Sequence, residues 1–123
     1  MNKEIMLQEI ESLIRTFDFI QEEQAFIKRK LIALLEKTIV SEDIQLAEDL
    51  HQQILNRETA IQLLRNDVSI LRVQVKNSHP VNNFMDPGKT GECKKFKQQV
   101  VYIETEFIAW KHAVNNKMDI RFS

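Results

Sequence analysis

Every proline and glycine of this 123-residue chain lies between Pro80 and Gly91. These two residue types interrupt helices most strongly, so nothing in the first 79 residues opposes long, continuous α-helices. The stretch from Ser78 to Gly91 also contains asparagine and aspartate, which are common in turns. The distribution predicts one long loop over residues 78–91 with helices on both sides of it.

Two apolar seams precede this loop, and in each the side chains recur at alternating steps of three and four residues, the spacing of helices that pack side by side. The first comprises Met6, Ile10, Leu13, Phe17, Ile20, Gln24, Ile27, Leu31 and Leu34. The second comprises Ala47, Leu50, Ile54, Arg57, Ile61, Leu64, Val68, Leu71 and Val75. The heptad pattern of the second seam is shifted by two residues relative to that of the first. If both seams lay on one straight helix, the apolar stripe would therefore move by roughly 200° around the helix axis between them. A reversal near Val40 is predicted, with Ser41 capping the second helix. The alternative is a continuous helix with domain swapping.

The reversal implies a register. If the turn is centred near position 40.5, facing residues have numbers that sum to about 81, and seam members such as Ile10 and Leu71 obey this sum. The two polar members, Gln24 and Arg57, obey it as well. We therefore predict a polar core layer formed by Gln24 and Arg57.

A buried arginine needs a partner for its charge. Glu23 and Glu58 flank the polar layer and are the acids expected to bind Arg57, with the Gln24 amide oxygen accepting from the remaining donors. If a third helix runs antiparallel to the second, Trp110 is expected to stack on the guanidinium.

A third seam follows the loop and comprises Cys93, Phe96, Val100, Ile103, Phe107, Trp110 and Val114. The predicted fold is all-α: an antiparallel helical hairpin plus a third helix, forming a three-helix bundle with coiled-coil-like heptad packing that can dimerise into a larger bundle. The expected helices cover about 3–39, 42–77 and 92–116 of a single domain, 1–123. Residues 117–123 are expected to be loosely held.

Composition and charge narrow the functional classes. The formal net charge is −1, so there is no strong signal for nucleic-acid binding. The single cysteine, Cys93, rules out an intramolecular disulfide and favours a reducing, cytoplasmic compartment. The charged start of the chain and the lack of a long apolar stretch predict neither export nor membrane insertion.

Two short motifs resemble enzyme signatures without completing them. Gly88, Lys89 and Thr90 match the end of a phosphate-binding P-loop, but Asn83 occupies the place of the first glycine and no strand precedes it. We therefore interpret the string as a flexible turn. No nucleotide-hydrolysing activity is expected from it.

Glu48 and His51 have the E-x-x-H spacing of di-iron bundles, but no second E-x-x-H pair occurs. Cys93 lacks the flanking signature of a cysteine hydrolase. We expect no metal, no cofactor and no enzymatic activity.

Four lysines cluster around the predicted start of the third helix, where free backbone amides favour anions. They form a possible anion patch: Lys89, Lys94, Lys95 and Lys97. A solvated basic face is the alternative interpretation.

Large apolar side chains also lie on the far sides of the first two helices. They form a predicted interaction face of Phe19, Phe26, Leu63 and Ile70. Such side chains are costly to leave in water, so we expect the third helix or another chain to cover them, with simple exposure as the alternative.

These observations predict a non-enzymatic, cytoplasmic protein-interaction or scaffold module that acts through apolar helical faces. Its expected partner is a second copy of itself or another helical protein. The alternative is a small helical chaperone or regulator that binds an anionic or helical segment near Lys89 to Lys97.

Overall fold

The computed structural model describes residues 1–37 and 40–122 and contains three long helices. Helix α1 covers Lys3–Lys37, α2 covers Ser41–Lys76 and α3 covers Pro87–Phe122, with one 3₁₀ turn at Val81–Asn83. The three helices pack against one another. The predicted all-α three-helix bundle is confirmed.

Helices α1 and α2 form the predicted antiparallel hairpin, but the numbers of their paired side chains sum to 83 or 86 and not to the predicted 81. Arg72 Nη1 lies 3.2 Å from Glu11 Oε1, and Lys28 Nζ lies 3.1 Å from Glu58 Oε1, so residue numbers fall along α2 as they rise along α1. The helices therefore reverse within one chain, which excludes the domain-swapped alternative for this structure. The predicted end of the first helix at residue 39 lies outside the described residues.

The turn into α2 differs from the prediction in its cap. Val40 is the extended N-cap residue, and its carbonyl oxygen accepts hydrogen bonds from the amides of Asp43 and Ile44 at 3.1 and 3.0 Å. Ser41 is the first helical residue and supplies no capping side chain.

Helix α3 begins five residues before the predicted residue 92, so the predicted loop 78–91 is too long. Proline is well suited to the first position of a helix, because its missing N–H would have no partner there. The Asp86 carboxylate accepts a hydrogen bond from the Lys89 amide at 2.9 Å and caps this end. Neither Gly88 nor Gly91 has a positive φ. The helix also continues beyond the predicted residue 116, and Met118 is buried.

Ion pairs fix the direction of α3. Lys97 pairs with Glu9 at 3.6 Å, and Lys111 pairs with Glu23 at 2.6 Å. The residue numbers differ by 88 in both pairs, so α3 runs parallel to α1. It consequently runs antiparallel to α2.

The buried side chains form two hydrophobic clusters instead of one continuous core. The larger contains Phe17, Phe107 and their neighbours, and the smaller lies toward the α1–α2 turn around Leu31 and Leu50. Trp110 is partly buried and packs against both clusters. It lies at the level of the polar layer, which therefore separates the two clusters.

Candidate interaction surfaces

The four residues of the predicted interaction face remain exposed. The exposed fractions are 46% for Phe19, 59% for Phe26, 61% for Leu63 and 56% for Ile70. The expectation that α3 covers one of these stripes is therefore wrong. Helix α3 packs in the angle between the other two helices and leaves these four side chains outside the two buried clusters.

Phe19 and Phe26 lie beside the contact between α1 and α3. Glu23 lies between them at helical spacing and binds Lys111, which is three residues beyond the exposed Ile108. Val101 is exposed one heptad before Ile108. We call Phe19, Phe26, Val101 and Ile108 the α1–α3 stripe. Sequence reasoning missed its α3 half, because the offset of 88 residues between α1 and α3 depends on the loop.

Leu63 and Ile70 belong to two different grooves. Leu63 lines a groove between α1 and α2, whereas Ile70 lines a groove between α2 and α3 together with Lys95 and Phe96. The structure therefore does not bring the predicted interaction face together as one surface.

The α1–α2 groove has a volume of about 760 Å³ and reaches the polar layer. Two polar bridges cross it: the Gln21 amide donates to Gln62 Oε1 at 3.1 Å, and Lys28 pairs with Glu58. Gln24 lies between these bridges and is fully buried. Among the described residues, neither its amide nitrogen nor its oxygen has a hydrogen-bond partner.

Arg57 takes a different acid from those predicted. It forms a bidentate ion pair with Glu106 of α3, with 3.0 Å between Nη1 and Oε2, instead of binding Glu23 or Glu58. Those two carboxylates bind lysines. Gln24 does not accept from Arg57 either, so the predicted hydrogen bond across the layer is wrong.

The predicted stacking of Arg57 on Trp110 is confirmed, with the guanidinium carbon 4.5 Å from the ring centroid. The indole N–H of Trp110 donates to Gln53 Oε1 at 3.0 Å. Arg57 is thus held at the edge of the seam by two α3 side chains, which removes the cost of burying an unpaired charge.

The four lysines of the possible anion patch have different environments. Lys97 pairs with Glu9, and Lys89 lies 3.4 Å from Glu92. Lys94 and Lys95 are exposed and have no ion pair within the described ranges. Because α3 begins at Pro87, the free amides of its first turn lie before Lys94 and Lys95.

The enzyme-like motifs do not assemble sites in the part of the chain that is described. Gly88, Lys89 and Thr90 are helical. No group of three or more histidine, cysteine, aspartate or glutamate side chains within residues 1–37 and 40–122 could hold a metal ion, around Glu48 and His51 or elsewhere.

Cys93 is fully buried, and its Sγ lies 3.8 Å from Glu9 Oε2. Burial raises the pKa of the Cys93 thiol, and the negative charge of Glu9 adds to the effect. The thiol is therefore held in its neutral, weakly nucleophilic form.

Comparison with protein-family models, curated proteins and solved structures finds no match to this chain. Across the described residues, none of the helices combines the length and apolar character needed to cross a lipid bilayer.

Proposed function

We propose that this protein is a non-enzymatic, cytoplasmic protein-interaction or scaffold module that self-associates through apolar helical faces. The observation that carries the proposal is the exposure of Phe19 and Phe26 on a bundle whose core is already filled without them. Full burial of one phenylalanine is worth about 1.5–3 kcal/mol, which favours a surface that another chain covers.

The α1–α3 stripe is the best candidate for this contact. Its four side chains come from adjacent helices and are joined by the Glu23–Lys111 pair, so they form a preorganised surface. A rigid apolar surface loses little conformational entropy on binding.

Changing both Phe19 and Phe26 to glutamate should abolish self-association. The wild-type chain is expected to sediment as a dimer at micromolar concentration, and the double variant at the 14.5 kDa mass of one chain. The new carboxylates would lose their hydration in the contact, while the core stays intact because both side chains are outside it. Sedimentation velocity measures the masses, and circular dichroism checks that the variant is folded.

The matched control is the double change of Leu63 and Ile70 to glutamate, which places the same charges on α2. It should keep the dimer mass. A wild-type chain that stays monomeric at every concentration would refute self-association, and dispersal by the α2 control alone would move the contact to α2.

A second candidate is a chaperone or regulator that binds an acidic helical segment. Its support is the unpaired Lys95, which lines a groove between α2 and α3 together with Leu64, Tyr102 and Ile103, and no acidic side chain is among the described residues that line this groove. An acidic amphipathic peptide should bind at low salt and weaken about tenfold or more between low and high ionic strength, as exposed charges are screened. Changing Lys94 and Lys95 to glutamine should remove this salt dependence in a fluorescence titration. Peptide binding that depends neither on ionic strength nor on the replacement of Lys94 and Lys95 would contradict the proposal.

A further inference from the structure

A second heptad pattern runs along the outer side of α1, opposite its buried seam. Its members recur at steps of four and three residues and are all exposed. We call them the outer ladder: Arg15, Phe19, Glu22, Phe26, Arg29, Ala33 and Glu36. Residues at this spacing share one face of a helix, so the two phenylalanines and the four charged residues form one continuous strip.

Charges in the outer ladder alternate in sign every seven residues, from Arg15 through Glu22 and Arg29 to Glu36. Within the described ranges these four side chains form no ion pair, although their neighbours do. Glu11, for example, binds Arg72 on α2, and Glu23 binds Lys111 on α3. The ladder is thus the part of the α1 surface whose alternating charges are left for a surface outside the chain.

Only one symmetric arrangement satisfies all four charges. In an antiparallel pair of α1 helices whose facing numbers sum to 51, Arg15 meets Glu36 of the second copy, and Glu22 meets Arg29 of the second copy. In antiparallel registers whose facing numbers sum to 44 or 58, residues of like charge face each other. In registers with sums of 37 or 65, only two of the four charged residues face an opposite charge. A parallel arrangement in register places each charge against itself.

The same register matches the apolar members by size. The facing apolar pairs are Phe19 with Ala33 and Phe26 with Phe26 of the second copy. In both pairs the residue numbers sum to 52, which is within one residue of the sum for the charged pairs. Phe26 lies next to the twofold axis, beside Phe26 of the second copy. Phe19 lies close to the small Ala33 of the second copy, which leaves room for the ring. Charge and shape therefore agree on one register.

We infer that a second copy of this chain docks on the outer ladder, antiparallel and with twofold symmetry, in the register where the numbers of facing charged residues sum to 51. This inference rests on the proposed self-association and assigns its partner, direction and register. The phenylalanines supply the apolar contact, and the charges select the register, because exposed ion pairs are individually weak but like charges are penalised.

Charge exchange tests the register. Glu22→Arg and Arg29→Glu, made separately, each place two like-charge contacts in the homodimer and should weaken dimerisation at least tenfold at low salt. The double variant restores both attractive contacts, so its dimerisation should return to within about threefold of wild type. In the registers with sums of 37, 44, 58 and 65, the double change does not restore the wild-type pattern of contacts.

Mixing the two single variants is the stronger test. All four contacts are attractive in the mixed pair, so an equimolar mixture should form a heterodimer although each variant alone is weakened. Sedimentation equilibrium of the separate and mixed chains measures this. A dimeric wild type with unaffected single variants would overturn the inferred face while leaving self-association intact, whereas a monomeric wild type would refute both.

Discussion

Replacing Phe107 by alanine should lower the free energy of unfolding by about 3–5 kcal/mol, the usual range for deletion of a buried aromatic side chain. Phe107 is fully buried in the larger cluster, and its ring centroid lies 6.0 Å from that of Trp110. The change would leave a cavity beside the residue that joins the two clusters. Urea denaturation followed by circular dichroism gives the free energy.

The control is Tyr102→Ala, at an exposed aromatic position of the same helix that lies outside the α1–α3 stripe. It should change the free energy of unfolding by less than about 1 kcal/mol, because little buried area is lost. Equal losses of unfolding free energy in the two variants would show that the face of α3 that carries Phe107 does not pack in the core.

Replacing Gln24 by leucine should have the opposite effect and raise the free energy of unfolding by about 1–3 kcal/mol, the cost of a buried polar group that lacks its partner. Leucine has a similar size and would join the two clusters across the polar layer. The predicted cost is specificity, because an apolar layer no longer penalises slipped hairpins. Thermal and urea unfolding measure the gain.

Gln21→Leu is the matched control, one turn away on the same helix. The Gln21 side chain bonds to both Gln62 and Arg65, so its loss should give no gain in stability. If Gln24→Leu proves destabilising, the Gln24 amide has a partner in solution and the layer stabilises the hairpin directly.

The antiparallel hairpin could be predicted because the two seams differ in frame, which requires the chain to reverse between them. The predicted sum of 81 is approximate, because the numbers of the paired side chains exceed it by two in Arg72–Glu11 and by five in Lys28–Glu58. The start of α3 could not be predicted in the same way. Pro87 and Gly88 are compatible with a loop as well as with the beginning of a helix, and the Asp86 cap decides between the two.

The partners of the polar layer show the same limit. Identifying Glu106 requires the offset between α2 and α3, which depends on the path of the intervening loop. The heptad spacing correctly predicts Phe19 and Phe26 on the far side of α1, but a periodic pattern on one helix does not determine which neighbour covers it. Spacing within a helix is therefore more informative than relations across the loop.

The division of the core by the polar layer has a consequence for folding cooperativity. Trp110 packs against both clusters, so the turn end of the bundle has an apolar core of its own. Partial opening of that end would expose Leu31 and Leu50 while leaving Phe17 and Phe107 buried, and such subglobal openings are how many helical proteins exchange their amide hydrogens. We therefore expect the amides around Leu31 and Leu50 to exchange faster than those around Phe17 and Phe107, with Arg57 and Trp110 at the boundary between the two regions.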